Sequence, residues 1–261
     1  MSTAPTDTPV ASTREIKALV VFGDSMSDNG HVDGHGFFRS SNGKVWPEYL
    51  SDMLSPEKLD VRAWGGATSG QGNYNANASD WSGLLWQVDR YEPAYDMART
   101  LVVVEIGFND LHDPENEIQP QQVVDNVIKA LNRLAVKGVR NLVVWNIFTS
   151  PVSPGYTDVN YDQYQHYHGK QDQARRDFAE YNALLPAALA EFEKSHPSVK
   201  LLFFDADRII AKIAERFQDK TSTWQFTWYA PDKDKWFFFD HWHFMTDVHR
   251  HIAREIFALL G

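Results

Sequence analysis

The chain has 261 residues, 43% of them apolar, and carries 25 Lys plus Arg against 35 Asp plus Glu, a formal net charge of −10. That length fits one large domain with an ample core, and the acidic balance repels phosphate backbones, which speaks against nucleic acid as a partner. The absence of cysteine excludes thiol catalysis, thiolate metal sites and disulfide staples, and no run approaches the ~20 apolar residues of a membrane-spanning helix.

Met1 to Thr13 is small and polar, without the apolar stretch of a secretory signal. The reading is a disordered lead-in over 1–16, then a single domain over 17–261, cytoplasmic by default. Lys17–Phe22 (KALVVF) is the first strand candidate, followed by Leu59–Ala63, Leu101–Ile106 (LVVVEI), Asn141–Ile147 (NLVVWNI) and Lys200–Phe204. Three of these are nearly continuous apolar runs, the pattern of strands covered on both faces in a parallel sheet. Between them, Val123, Val124, Val127, Ile128, Leu131 and Leu134 recur at helical spacing from Pro120 to Lys137. Phe178, Tyr181, Leu185 and Leu189 do the same from Gln173 to Lys194, and Val248, Ile252, Ile256 and Leu260 follow an expected N-cap at Thr246. Strand–helix alternation predicts one three-layer α/β domain.

Two stretches fit neither period. Ser150–Gln171 carries Tyr156, Tyr161, Tyr164 and Tyr167, and Thr221–Phe239 carries Trp224, Phe226, Trp228, Tyr229 and Trp236. Loops this aromatic are candidates for lining a pocket, with Tyr164 and Trp228 as named substrate contacts, or for packing over the sheet ends.

Ligands of an open parallel sheet bind at the carboxyl ends of its strands. After the first strand comes Gly23-Asp24-Ser25, after the second Gly65-Gly66, after the third Gly107-Phe108-Asn109-Asp110, and near the C-terminus Asp240-His241-Trp242-His243. Gly, Asp, Ser and Asn are ordinary turn residues, so each block alone reads as a turn. Together they meet the needs of acyl transfer. A serine hydroxyl needs a base, a histidine supplies one, and a carboxylate three residues away orients it. The amides of Ser25 and Gly66 and the side chain of Asn109 would face a developing oxyanion, each donor worth roughly 3–4 kcal/mol in barrier.

The blocks GDSMSDNG, WGGATSG, GFND and DHWHFMTDVH, in this order, resemble those of the GDSL esterases and lipases of the SGNH hydrolase superfamily, and the resemblance spans about residues 18 to 258. It implies a flavodoxin-like three-layer α/β/α sandwich of about five parallel strands, and an esterase working on small-molecule esters with no cofactor and no metal. It implies Ser25 as nucleophile, His243 as base, Asp240 as its orienter, and Gly66 and Asn109 as oxyanion donors beside Ser25. Phe244-Met245-Thr246 departs from the family's usual Pro-Thr after the histidine. The alternatives are a carbohydrate acetylesterase or thioesterase using the same triad, and a catalytically silent binding module. The histidines 241, 243, 249 and 251 invite a metal site, but a helix from Thr246 would send His249 and His251 in other directions. Glu105, at the end of the third strand, is either a buried acid near the site or the partner of an Arg. Oligomeric state is not readable from the chain.

Overall fold

A computed structural model describes residues 15–30, 35–149, 151–225 and 233–261. Five strands form one parallel sheet: β1 (Ala18–Gly23), β2 (Lys58–Val61), β3 (Thr100–Glu105), β4 (Asn141–Trp145) and β5 (Lys200–Phe204), in the order β2-β1-β3-β4-β5. They are the five expected strands, their ends moved by no more than two residues. Every residue of β1, β3 and β4 is buried, so both faces are covered and both side-chain rows are apolar. The strand order reverses between β1 and β3, and the crevice at such a switch point is where this class of sheet binds ligands.

The helices are α1 (Trp46–Leu54), α2 (Leu84–Asp89), α3 (Phe108–Leu111), α4 (Pro120–Val136), α5 (Tyr164–Tyr167), α6 (Gln171–Ser195), α7 (Ala206–Ala214) and α8 (Thr246–Leu260). α1 and α7 pack on α8, while α2 and α6 pack on α4, giving one helical layer on each face of the sheet. The stripe read on α4 is buried at Val123, Val124, Val127, Leu131 and Leu134. Truncating such a leucine to alanine costs about 2–5 kcal/mol through lost burial and the cavity left behind. No helix among the described residues is long and apolar enough to cross a membrane.

Several elements escape the sequence pattern. α1, α2 and α7 run for nine, six and nine residues, too short for a 3.6-residue period to declare itself. α1 is fixed by Pro47 in its first turn and by Glu48, whose carboxylate accepts the Val45 N–H at 3.1 Å. Thr246 is not an N-cap. The helix starts on it, Met245 is the cap residue, and the Thr246 hydroxyl instead donates to the Lys44 carbonyl at 2.7 Å. The 221–239 stretch is not purely loop, because β6 (Asp219–Thr223) pairs in parallel with β7 (Trp236–Phe238). Of the expected lead-in, residues 1–14 lie outside the described residues, and Ile16 belongs to the core at 2% exposure.

Candidate active site

β1 ends at Gly23, and the chain turns sharply. The N–H groups of Ser27 and Asp28 donate to the Asp24 carbonyl at 3.1 and 2.9 Å, and the Met26 N–H donates to Asp24 Oδ1 at 3.0 Å. Gln87 on α2 clamps the strand end, accepting from the Gly23 N–H at 3.1 Å and donating to its carbonyl at 2.8 Å. The Asp28 carboxylate accepts the N–H groups of Gly30, Phe37 and Gly65 at 2.9, 2.8 and 2.9 Å. The serine loop and the Gly65-Gly66 loop are thereby one rigid body, with Ser25 only 8% exposed at its tip.

The structure brings Ser25, His243 and Asp240 together. His243 Nε2 lies 2.8 Å from Ser25 Oγ, and its Nδ1 lies 2.8 Å from both oxygens of Asp240. Asp240 Oδ1 also accepts the backbone N–H groups of Trp242 and His243 at 2.9 and 2.8 Å. An ionised carboxylate can only accept, so Nδ1 carries the proton and Nε2 is left to accept the serine O–H. Burial raises the Asp240 carboxyl, but the imidazole and these hydrogen bonds outweigh it and hold Asp240 below the usual range. Burial likewise lowers His243, and the charge and hydrogen bond of Asp240 outweigh that and raise it above 6.5.

Gly66 takes a left-handed φ of 79°, and a side chain there would run into Asn73 and Asn75. Among the described residues neither the Ser25 N–H nor the Gly66 N–H has an acceptor, so both remain available to an incoming oxygen. Asn109 is the second residue of α3, just beyond β3, and lines the same cavity as Ser25. Its Nδ2 already donates to Asp24 Oδ2 at 3.1 Å and to the Ala67 carbonyl at 3.0 Å. Both N–H groups of its amide are thereby engaged, so an incoming oxygen would reach one only if a bond were shared or released.

The cavity over Ser25 measures about 460 Å³ and is lined by the rings of Phe108, Tyr161, Tyr167 and Trp242 and the amides of Asn75, Asn77 and Gln163. Tyr164 is not among its walls. It sits at the first turn of α5 with its ring against His168, centroids 4.7 Å apart, and Tyr161 and Tyr167 from the same stretch take the place expected of it. Trp228 lies outside the described residues. Trp242 was not singled out for the wall, although it stands inside the Asp240–His243 block. Its Nε1 donates to Tyr161 Oη at 3.1 Å, and its ring fills space that only a glycine at 155 leaves open.

The four C-terminal histidines do not converge. His241 meets Asp158 at 3.1 Å and stacks on Tyr161, His249 is buried against Phe244, and His251 packs on Phe217. Asp113, Glu115 and His166 do come together, but Lys170 Nζ already sits 3.1 and 2.7 Å from the two carboxylates. Glu105 resolves as a buried acid beside the site, with Ser27 Oγ donating to it at 2.8 Å.

Comparison with known proteins gives the family and the fold. Residues 19–256 match the model of the GDSL-like Lipase/Acylhydrolase family. The thermolabile hemolysin of Vibrio parahaemolyticus is 26% identical over 160 residues, which are 54% of this chain and 36% of that protein; the match thus spans about a third of its length. A carbohydrate acetylesterase from Sinorhizobium meliloti superposes with a TM-score of 0.59 at 14% identity, over 93% of this chain and 97% of its own. A putative arylesterase from Agrobacterium tumefaciens superposes at 0.54 and 14%, with the same coverages. At such identities the structural likeness speaks for the fold alone.

Proposed function

The chain belongs to the GDSL-like lipase/acylhydrolase family and is an ester-bond hydrolase, and from that premise we propose that it cleaves carboxylic esters through an acyl-enzyme on Ser25. Ser25 Oγ attacks the ester carbonyl carbon while His243 Nε2 takes its proton, and Asp240 stabilises the imidazolium. The carbonyl oxygen becomes an oxyanion facing the N–H groups of Ser25 and Gly66, with the Asn109 amide turning one N–H toward it. Collapse expels the alcohol, which receives the proton from His243. A water then attacks the acyl-enzyme by the same route and frees the acid and Ser25.

The observation that carries this reading is His243 spanning Ser25 Oγ and Asp240 with 2.8 Å on each side. A fluorophosphonate probe tests it. Labelling of the wild type that vanishes in Ser25→Ala supports an activated serine, and an unlabelled wild type points to the silent binding module.

The amides of Asn75, Asn77 and Gln163 offer hydrogen bonds among the cavity walls, which supports a polar alcohol moiety. A second reading, a carbohydrate acetylesterase, draws on the same amides. A panel of p-nitrophenyl esters from acetate to palmitate beside acetylated sugars separates the two.

A further inference from the structure

Directly beneath the nucleophile lies a pair of carboxyls that the hydrolysis as written does not use. Asp24 is 1% exposed and Glu105, at the end of β3, is 6% exposed. Gly23 pairs with Glu105 across the sheet, and a Cβ on it would come within 2.9 Å of Glu105 Oε2, so the glycine before the serine turn makes room for this acid. The Glu105 carboxyl lies within hydrogen-bonding reach of both the backbone N–H and the carboxyl of Asp24. Among the described residues no Lys or Arg pairs with either, and the groups that do meet them are neutral: Ser27 Oγ donates to Glu105, and Trp46 Nε1 donates to Ser27 Oγ at 3.1 Å.

Two buried carboxylates in contact without a cation cannot both be ionised at modest cost. Burial pushes Glu105 up to about 7 against the pull of its bonds to Ser27 and Asp24. Burial first, and then the charge of Glu105, push Asp24 well above the carboxylate range. The surrounding titratable groups do not reverse this. Asp110 on α3 raises Asp24 further, His243 lowers it, and the buried Tyr181 phenol on α6 faces Glu105 and Asp110. Asp28, on the serine loop, is engaged by three backbone N–H groups.

We propose that Glu105 is a positioning residue for this hydrolysis: one proton shared between Glu105 and Asp24 fixes the Asp24 carboxyl, which in turn holds the Asn109 amide and the backbone N–H next to Ser25. The inference rests on Ser25 as nucleophile. While the pair keeps its proton, it bears a single charge and Asp24 stays on Met26 N–H and Asn109 Nδ2. Once alkaline pH removes that proton, the two charges repel, Asp24 shifts, and the oxyanion side of the cavity loosens. Turnover then falls on the alkaline side, because Asn109 acts in the transition state and not in substrate binding.

The test compares wild type, Glu105→Leu, Glu105→Gln and Asp24→Asn by kinetics on p-nitrophenyl acetate across pH, by fluorophosphonate labelling, and by infrared spectroscopy of protonated carboxyls at about pH 8. Glu105→Leu should lower kcat about tenfold with KM within about twofold. Glu105→Gln, a neutral mimic of the protonated acid, should restore most of kcat and remove the alkaline limb. The infrared band of the shared proton should be present in the wild type and gone in both Glu105→Gln and Asp24→Asn. A band that survives both substitutions, an alkaline limb unchanged in Glu105→Gln, or a kcat untouched in Glu105→Leu would overturn the proposal. A wild type that resists labelling would instead remove Ser25 as nucleophile, and the infrared result would still judge the shared proton.

Discussion

On one side of the catalytic cavity, Ser25 and Asn109 stand a few residues beyond β1 and β3, which pair from Ala18↔Thr100 to Gly23↔Glu105. On the other side, Tyr161 and Trp242 come from segments between elements and Tyr167 from the one-turn helix α5, all fastened by side chains distant in sequence. Tyr156 Oη donates to the His112 carbonyl at 2.5 Å, and Asp113 accepts from Tyr74 Oη at 3.0 Å and from Lys170 at 3.1 Å. Burial opposes ionisation of Asp113, but its bonds from His166, the Glu115 N–H, Lys170 and Tyr74 hold it down to about 2. The sheet side is thus held by backbone ladders reinforced by the Gln87 and Asp28 side chains, and the loop side by side-chain pairs between distant segments. The proposed mechanism therefore puts its chemistry on the backbone-held side and leaves selectivity to the side where single side chains can change it.

Four substitutions sharpen that contrast. Asp240→Asn keeps the shape but removes the charge and turns an N–H donor toward His243 in place of an acceptor oxygen, which disfavours the productive tautomer, and kcat should fall about ten-thousandfold. The wild-type rate should also lose its base as His243 protonates. Because Asp240 outweighs burial and raises His243, the acid limb of kcat/KM should have its midpoint above pH 6.5, and a midpoint below that value would show that burial outweighs Asp240 at the imidazole. Asn109→Ala should lower kcat about a hundredfold with KM nearly unchanged; a raised KM with kcat intact would make Asn109 a ground-state contact. On the loop side, Tyr161→Ala or Trp242→Ala should change the ratio of activities on short and long esters by about tenfold while Ser25 stays open to the fluorophosphonate probe. Rates lowered equally on all esters would mean that these rings serve packing, and the contrast between the two sides would fail.

The sheet side was legible in the sequence because each of its parts is contiguous. LVVF and LVVVEI announce buried strands, and the residues straight after them carry Ser25 and Asn109 without need of tertiary detail, while Gly66 follows the second strand just as closely. The DHWH block was legible for the same reason, since a carboxylate three residues before an imidazole bonds to it within one turn. The loop side was legible only as composition. Four tyrosines in 150–171 mark a wall, but which of them faces inward depends on Trp242 entering the space beside Gly155 and bonding Tyr161, contacts across some eighty residues. That is why Tyr164 was expected in the cavity and Tyr161 and Tyr167 are found there. The β6–β7 pair was hidden for a related reason. Asp219–Thr223 (DKTST) is polar and Trp236–Phe238 is three residues long, so neither shows a strand period. Gln87, which clamps Gly23 from α2, carries no local signal at all.

The central claim is that Ser25 and His243 act in a single proton-transfer step, and a double-mutant cycle tests it most directly. Ester hydrolysis is measured for Ser25→Ala, His243→Ala and the double variant, with circular dichroism confirming that each is folded. If the two residues work as a unit, either single substitution removes nearly all of the activity and the double variant is no slower than the slower single. A double variant whose loss is the product of the two single losses would contradict the account, because each residue would then be contributing independently of the other.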